Sequence, residues 1–321
     1  MFVTDQIYKE MALTTYNEPH IVTLKGKVDI SRVERTFMMI VDRHESFRTS
    51  YHFNNQTPVQ KIHKAVDFKV EVLEADKDSV ESVIRSFIKP FDLATPPLVR
   101  AGLVRAAENE WILVIDKHHI TCDGLSNQIL FQDFVELYCG AELPEQALQY
   151  VDFSEWYNHT YRDSMQDENE RFWLDLFKDG VPELKLPYDH QKTPDAMFRG
   201  AILDFELTPE QSEKWRSVFT GTDTTQFVNI LALYALFLAR ITGQKDFVIG
   251  SPVSGRWHKD VKPIVGMFVN MLSFRMRLGE ESTFLDFLKA QKEHYLGVFE
   301  NQYYPFDLLV KKSCEEKGLH G

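Results

Sequence analysis

One stretch constrains this chain more than any other: His118-His119-Ile120-Thr121-Cys122-Asp123-Gly124. An apolar run, Trp111-Ile112-Leu113-Val114-Ile115-Asp116-Lys117, leads into it, and Leu130, Phe134, Leu137 and Tyr138 follow at helical spacing. The stretch therefore joins a strand to a helix. Successive strand side chains face opposite sides, so one histidine should face a cavity while the other is packed or hydrogen-bonded. Gly124 can adopt the backbone angles that a tight strand-to-helix turn demands. A neutral imidazole at a strand end, beside a helix N-terminus, can take up a proton near pH 7. A lone histidine on a strand is more often a satisfied core residue. Two adjacent ones followed by Asp-Gly between a strand and a helix shift the reading toward His-dependent acyl transfer.

Size and charge narrow the setting. The 321 residues, 44% hydrophobic and 13% aromatic, suffice for a large core and suggest two lobes rather than one. A net charge of -12 argues against an electrostatic nucleic-acid footprint. The three cysteines, Cys122, Cys139 and Cys314, form no Cys-x-x-Cys pair, so neither a zinc site nor a disulfide scaffold is indicated. No basic-then-apolar leader and no bilayer-length apolar run is present. A soluble, cytoplasmic protein that does not engage membranes is the expectation.

Local chemistry places the remaining elements. Ile21 to Leu24 read as a strand. Asp29 is a helix cap ahead of Val33, Phe37, Ile40 and Val41 on one face. Asn54-Asn55 marks a turn between two strands, Phe68, Val70 and Val72 alternate as a strand does, and Val80, Val83, Ile84 and Phe87 return to helical spacing. Residues 98–105 and 111–117 read as paired strands. The Pro- and Gly-containing stretch 180–194 reads as a connection between lobes, and 201–207 as a strand opening the second lobe. Thr208-Pro209-Glu210-Gln211 is a capping box. The helix over about 225–242 is apolar almost all round and is expected to be buried. Thr283 caps a last helix. Asp133, Glu136 and the acidic run 167–170 read as solvated charges.

His-His-x-x-x-Asp-Gly resembles the signature of nonribosomal peptide synthetase condensation domains, within the chloramphenicol acetyltransferase-like superfamily. Other stretches are similar to that family's motifs in order: Arg43-His44-Glu45-Ser46-Phe47-Arg48-Thr49-Ser50-Tyr51, Tyr150-Val151-Asp152-Phe153-Ser154-Glu155-Trp156, the segment from Val248 to Arg256, Gly266-Met267-Phe268-Val269-Asn270, and Asn301-Gln302-Tyr303-Tyr304-Pro305-Phe306-Asp307. The family's first motif is reduced to a vestige around Asp5-Gln6-Ile7-Tyr8 and its last has no counterpart before Gly321. The chain thus looks cut at both ends, with an incomplete second lobe.

The resemblance implies an α/β (α+β sandwich) fold of two acetyltransferase-like lobes in a V-shaped arrangement, 1–175 carrying the histidine motif and 176–321 the second lobe. It also implies the reaction: the amine of an acceptor aminoacyl thioester attacks the thioester carbonyl of a donor, forming a peptide bond. The substrates would arrive on phosphopantetheine arms of upstream and downstream carrier proteins, next to adenylation domains, with no metal and no bound cofactor. His119 matches the catalytic histidine, as a base or as a positioner of the amine. His118 would be structural. Asp123 would brace the loop by pairing with an arginine, Arg48 as first candidate and Arg43 as second. Gly124 would let a backbone N–H approach the thioester, and Asn270 would line the substrate channel or else be a hydrogen-bonded strand-end Asn. A zinc site from His118, His119 and Asp123 is disfavoured because adjacent strand side chains diverge, and Cys122 has no supporting Cys-His motif. The rival readings are a coenzyme A-dependent acyltransferase of the same superfamily and a non-catalytic carrier-docking module. An epimerization relative fits the Gly-x-Phe-Val-Asn stretch less well, and a heterocyclizing one would carry Asp for the histidines.

Overall fold

A computed structural model of the chain describes residues 1–7, 14–161, 164–190, 201–279 and 283–315. Its first part runs α1 (Phe2–Ile7), β1 (His20–Lys25), α2 (Ile30–Arg43), β2 (Thr49–Asn54), β3 (Thr57–Ile62), β4 (Val70–Glu74), α3 (Val80–Phe87), β5 (Val99–Ala107), β6 (Glu110–Lys117), α4 (Gly124–Cys139) and α5 (Tyr150–Trp156). Then come helices Gln166–Phe177, Pro209–Val218 and Gln226–Thr242, strands β7 (Asp246–Val253) and β8 (Asn270–Arg277), and helices Phe284–Glu300 and Phe306–Glu315. Two compact units result: Met1–Thr160 with Arg256–Phe268, and Tyr161–Gly255 with Val269–Gly321.

In the first unit the described residues form a four-stranded sheet in the order β1-β6-β5-β4. β6 pairs antiparallel with both β1 and β5, and β4 pairs parallel with β5. Both faces are covered, which is why β5 and β6 read as near-continuous apolar runs. Leu103 and Leu113 belong to the cluster holding Val33, Phe37, Ile40 and Leu137, while Val104 and Val114 pack with Ile84 and Phe87. Gly102 is the concession on that second face: a Cβ there would lie 2.8 Å from the Phe87 ring. Helix α2 starts where expected, with Asp29 accepting the Arg32 N–H at 2.9 Å. Its Phe37 ring meets Phe134 of α4 at 5.0 Å between centroids. β2 and β3 form a hairpin whose turn residues Asn55 and Gln56 take left-handed angles.

The second unit is built around β7 and β8, paired antiparallel from Asp246 with Arg277 to Val253 with Asn270. Its core gathers Trp173, Phe177, Leu231, Leu238, Phe247, Phe274 and Tyr295. Trp173 and Phe177 therefore place helix Gln166–Phe177 in this unit, where the sequence reading divides the chain at 175/176. The stretch 180–190 also lies within this unit and is not a free connector: Gln244 accepts the Lys185 N–H and donates to the Glu183 carbonyl. Residues 191–194 of that stretch lie outside the described residues.

Helix starts follow the sequence closely. Thr208 and Gln211 form a reciprocal capping box, and Thr225 and Thr283 cap their helices. Two expectations fail. Residues 201–207 form no strand, and Ile202 and Phe205 are 89% and 83% exposed. Alternating apolar residues make a strand only where a ladder partner exists, and none pairs with them among the described residues. The helix Gln226–Thr242 buries only the face of Val228, Leu231, Ala232, Ala235 and Leu238. Ile230, Tyr234, Phe237 and Ile241 on its other face stay exposed.

Candidate active site

The two histidines part company where β6 ends. His118 forms an isolated bridge with Asn17, and a short 3-10 turn, His119–Thr121, carries the chain toward α4. His118 points inward among Tyr16 and Phe91. Its Nδ1 accepts the Ile120 N–H at 3.1 Å, so the neutral ring carries its proton on Nε2. Burial, with His119 adding to it, pushes this imidazole down to about 4.

His119, by contrast, leaves a third of its side chain exposed. Its Nδ1 lies 2.9 Å from the Cys122 carbonyl oxygen. A carbonyl can only accept, so Nδ1 is the donor and Nε2 holds the lone pair. Glu18 Oε1 stands 3.4 Å from Nε2. The Cys122 thiol is buried and pushed up to about 12, chiefly by that burial, so it stays protonated and is no nucleophile.

Asp123 is the N-cap of α4, accepting the Ser126 N–H at 2.8 Å. Its arginine is neither Arg48 nor Arg43 but Arg256. Arg256 Nη2 lies 2.9 Å from Oδ1 and Nε 3.3 Å from Oδ2, with both side chains about 1% exposed. The rest of the guanidinium is satisfied too. Nη1 donates to the Val261 and Lys262 carbonyls, and Nη2 also meets Ser126 Oγ at 2.8 Å. The Phe268 N–H adds a bond to Asp123 Oδ2 at 3.2 Å, and the Phe268 ring lies under the guanidinium at 4.1 Å. Two later motifs, 133 and 145 residues beyond Asp123, thus meet the histidine motif at one buried carboxylate.

The displaced candidates have other tasks. Arg48 donates to the carbonyls of Val41, Asp42 and His63, fastening the end of α2 to the end of β3. Arg43 reaches Asp133 at 3.1 Å and the Pro144 carbonyl at 2.6 Å. His44 Nε2 also meets Asp133, at 2.9 Å, so Asp133 is a buried anchor for α4 and not a solvated charge. Glu170 likewise is engaged, accepting from Tyr304 and Lys312. Gly124 does not use left-handed angles. A Cβ built there meets no atom within 4 Å, so the position opens onto free space. Asn270 spends its amide on the Gln302 and Tyr304 carbonyls and its oxygen on the Phe306 N–H. That is the strand-end role, holding the 301–307 motif to β8.

Residues 150–156 and 265–268 also pack on one another. The Tyr150 ring covers Gly266 so closely that a Cβ there would sit 2.2 Å from Cδ2, and the Tyr150 hydroxyl donates to the Met267 carbonyl. Two participants were missed in the sequence, Arg256 and Glu18. Arg256 closes a quoted motif, and Glu18 lies one residue beyond Asn17, just ahead of β1. Neither carries a local signal of its partner.

Comparison with known proteins decides the family. The family model described as Condensation domain matches residues 1–320. The chain belongs to the condensation domain family. This condensation domain is 39% identical over 305 residues to tyrocidine synthase 3 of Brevibacillus parabrevis, covering 95% of the chain and 5% of the relative. It thus spans about one twentieth of that relative's length. Its fold is similar to the X-domain in a complex with OxyB from teicoplanin biosynthesis, with TM-score 0.84, 23% identity, and coverage of 95% of this chain and 69% of that one. It is also similar to the first condensation domain of the calcium-dependent antibiotic synthetase, bound to a substrate analogue. That match has TM-score 0.78 and 19% identity, covering 97% and 74%. The condensation domain is thereby a mixed α/β protein of the acetyltransferase-like fold. Among the described residues, no helix is long and apolar enough to cross a membrane, and no group of His, Cys, Asp or Glu is placed to hold a metal ion.

Proposed function

We propose that this condensation domain forms a peptide bond between a donor acyl thioester and an acceptor aminoacyl thioester, each held on the phosphopantetheine arm of a carrier protein. The carriers would be the upstream and downstream neighbours in a synthetase that also holds adenylation domains. The observation that carries the reading is the tautomer of His119: Nδ1 is tied to the Cys122 carbonyl, and Nε2 offers its lone pair on a partly exposed ring.

The chemistry follows from that nitrogen. The acceptor amine must be neutral to attack, and becomes cationic as the C–N bond forms. Nε2 takes the surplus proton, or holds the amine in line while it leaves. The C–S bond of the donor thioester then breaks, and the departing thiolate takes up the proton. The Gly124 position, free of any side chain and at the head of a 16-residue helix, gives backbone N–H groups access to the developing oxyanion. Asp123, Arg256 and His118 hold this frame without entering the reaction.

His119→Ala should lower product formation from carrier-loaded thioesters by about 10²- to 10⁴-fold. An unchanged rate together with unchanged carrier binding would remove His119 from the mechanism, whereas carrier binding without product formation by the parent chain would favour the docking module. Equal turnover of free coenzyme A thioesters would favour the stand-alone acyltransferase.

A further inference from the structure

A carboxylate stands against the reactive nitrogen of His119. Residues 16–18 run alongside 117–119: the Glu18 N–H donates to the Lys117 carbonyl at 2.8 Å, and the His119 N–H to the Tyr16 carbonyl at 2.8 Å. This pairing fixes the backbone on both sides of the contact. The Glu18 side chain then places Oε1 3.4 Å from His119 Nε2, and Oε2 3.3 Å from Lys117 Nζ and 3.5 Å from Cys122 Sγ. Lys117 is itself buried, so the carboxylate is gripped from its far side.

The tautomer gives this contact its meaning. With its only proton on Nδ1, neutral His119 turns a lone pair toward Glu18, and two acceptors form no hydrogen bond. Once Nε2 gains a proton, the same contact becomes an ion pair with the carboxylate at 3.4 Å. The contact is therefore worth most in the state where the amine's proton has reached the ring, which is the differential stabilisation that speeds a reaction.

We propose that Glu18 is a positioning residue for His119, orienting the imidazole and raising its affinity for the proton released by the attacking amine. This rests on the reading of His119 given above and deepens it. The proton moves from the amine nitrogen to Nε2, and Glu18 stays ionised throughout. The other titratable groups facing the pair are Lys117 on β6, His20 on β1, whose imidazole feels both Lys117 and Glu18, the protonated Cys122 thiol, and His118 with Asp5 3.9 Å beyond it. Lys117 and His119 share the Glu18 carboxylate, one at each oxygen.

The titration of His119 is read without any substrate. In the full chain, the carbethoxylation rate of His119 by diethyl pyrocarbonate, located by peptide mass spectrometry, is followed from about pH 5 to 8. Glu18→Gln should lower the midpoint by about one pH unit, and Glu18→Asp should restore part of it. Lys117→Met should raise the midpoint. It also keeps the test alive if Glu18→Gln, which strands the Lys117 cation, fails to fold. A midpoint unmoved by Glu18→Gln, or lowered or unmoved by Lys117→Met, overturns the proposal. Because the readout needs no thioester, it stands or falls apart from the peptide-forming reaction, which His119→Ala tests.

Discussion

Asp123 and Arg256 are both withdrawn from water, and two such ions survive burial only when their geometry is good and their remaining donors and acceptors are met. Here they are, through the carbonyls of Val261 and Lys262, the Ser126 hydroxyl and the Phe268 N–H. Removing one member strands the other. Asp123→Ala and Arg256→Ala should each cost about 3–5 kcal/mol, measured as a lowered urea midpoint. The double replacement should cost less than the sum, and strictly additive losses would show the two to be uncoupled. At this scale the sequence revealed a need without its remedy. Asp123, next to the histidines and ahead of a helix, was legible as a carboxylate requiring an arginine. Arg48 and Arg43 drew attention because they sit in a motif of their own. The true partner lies 133 residues away, and no local spacing encodes a contact made only by tertiary folding.

Among the elements, the packing of α5 on residues 265–268 depends on a missing side chain. Gly266→Ala forces a Cβ into the Tyr150 ring, and overpacking of this kind costs about 1–3 kcal/mol, occasionally more. A lowered melting temperature, partly regained in Gly266→Ala/Tyr150→Leu, is the expected outcome. If Gly266→Ala melts as the parent does, the contact is not tight. Helix starts were readable because a cap is chemistry among three or four neighbours: Asp29, Thr208 with Gln211, Thr225 and Thr283 all act as their residue types suggest. The strand expected at 201–207 and the burial expected all round Gln226–Thr242 were not readable, because both depend on what packs alongside. Their exposed residues give a further prediction. Ile230→Gln and Phe237→Glu should raise solubility without lowering the melting temperature, whereas a loss of stability would show that this face is packed.

Across the whole molecule, acid should act through buried imidazoles. His118 lies near 4 in the fold and near 6.5 unfolded. His44, buried beside Asp133 and Arg43, is also held below its ordinary value, with burial as the main cause. Between those pH values the unfolded chain binds more protons than the folded one, so stability is whole above about pH 6.5 and falls as the pH drops toward 4. His118 alone accounts for a loss on the order of 3 kcal/mol over that window. Melting temperatures across the range should show the decline, and His118→Gln should flatten it. A slope unchanged by that replacement would assign the acid sensitivity to other groups.

The route of the backbone sets a timetable. Residues 256–268 complete the first unit, yet they leave the ribosome after the whole of the second unit's first stretch, Tyr161–Gly255. At 5–20 residues per second, Asp123 waits roughly 7–27 s for the arginine that neutralises it. The first-begun unit of this protein is therefore left open until the stretch 256–268 is made, and a newborn chain halted before residue 256 would hold an unanswered charge where its loop should close.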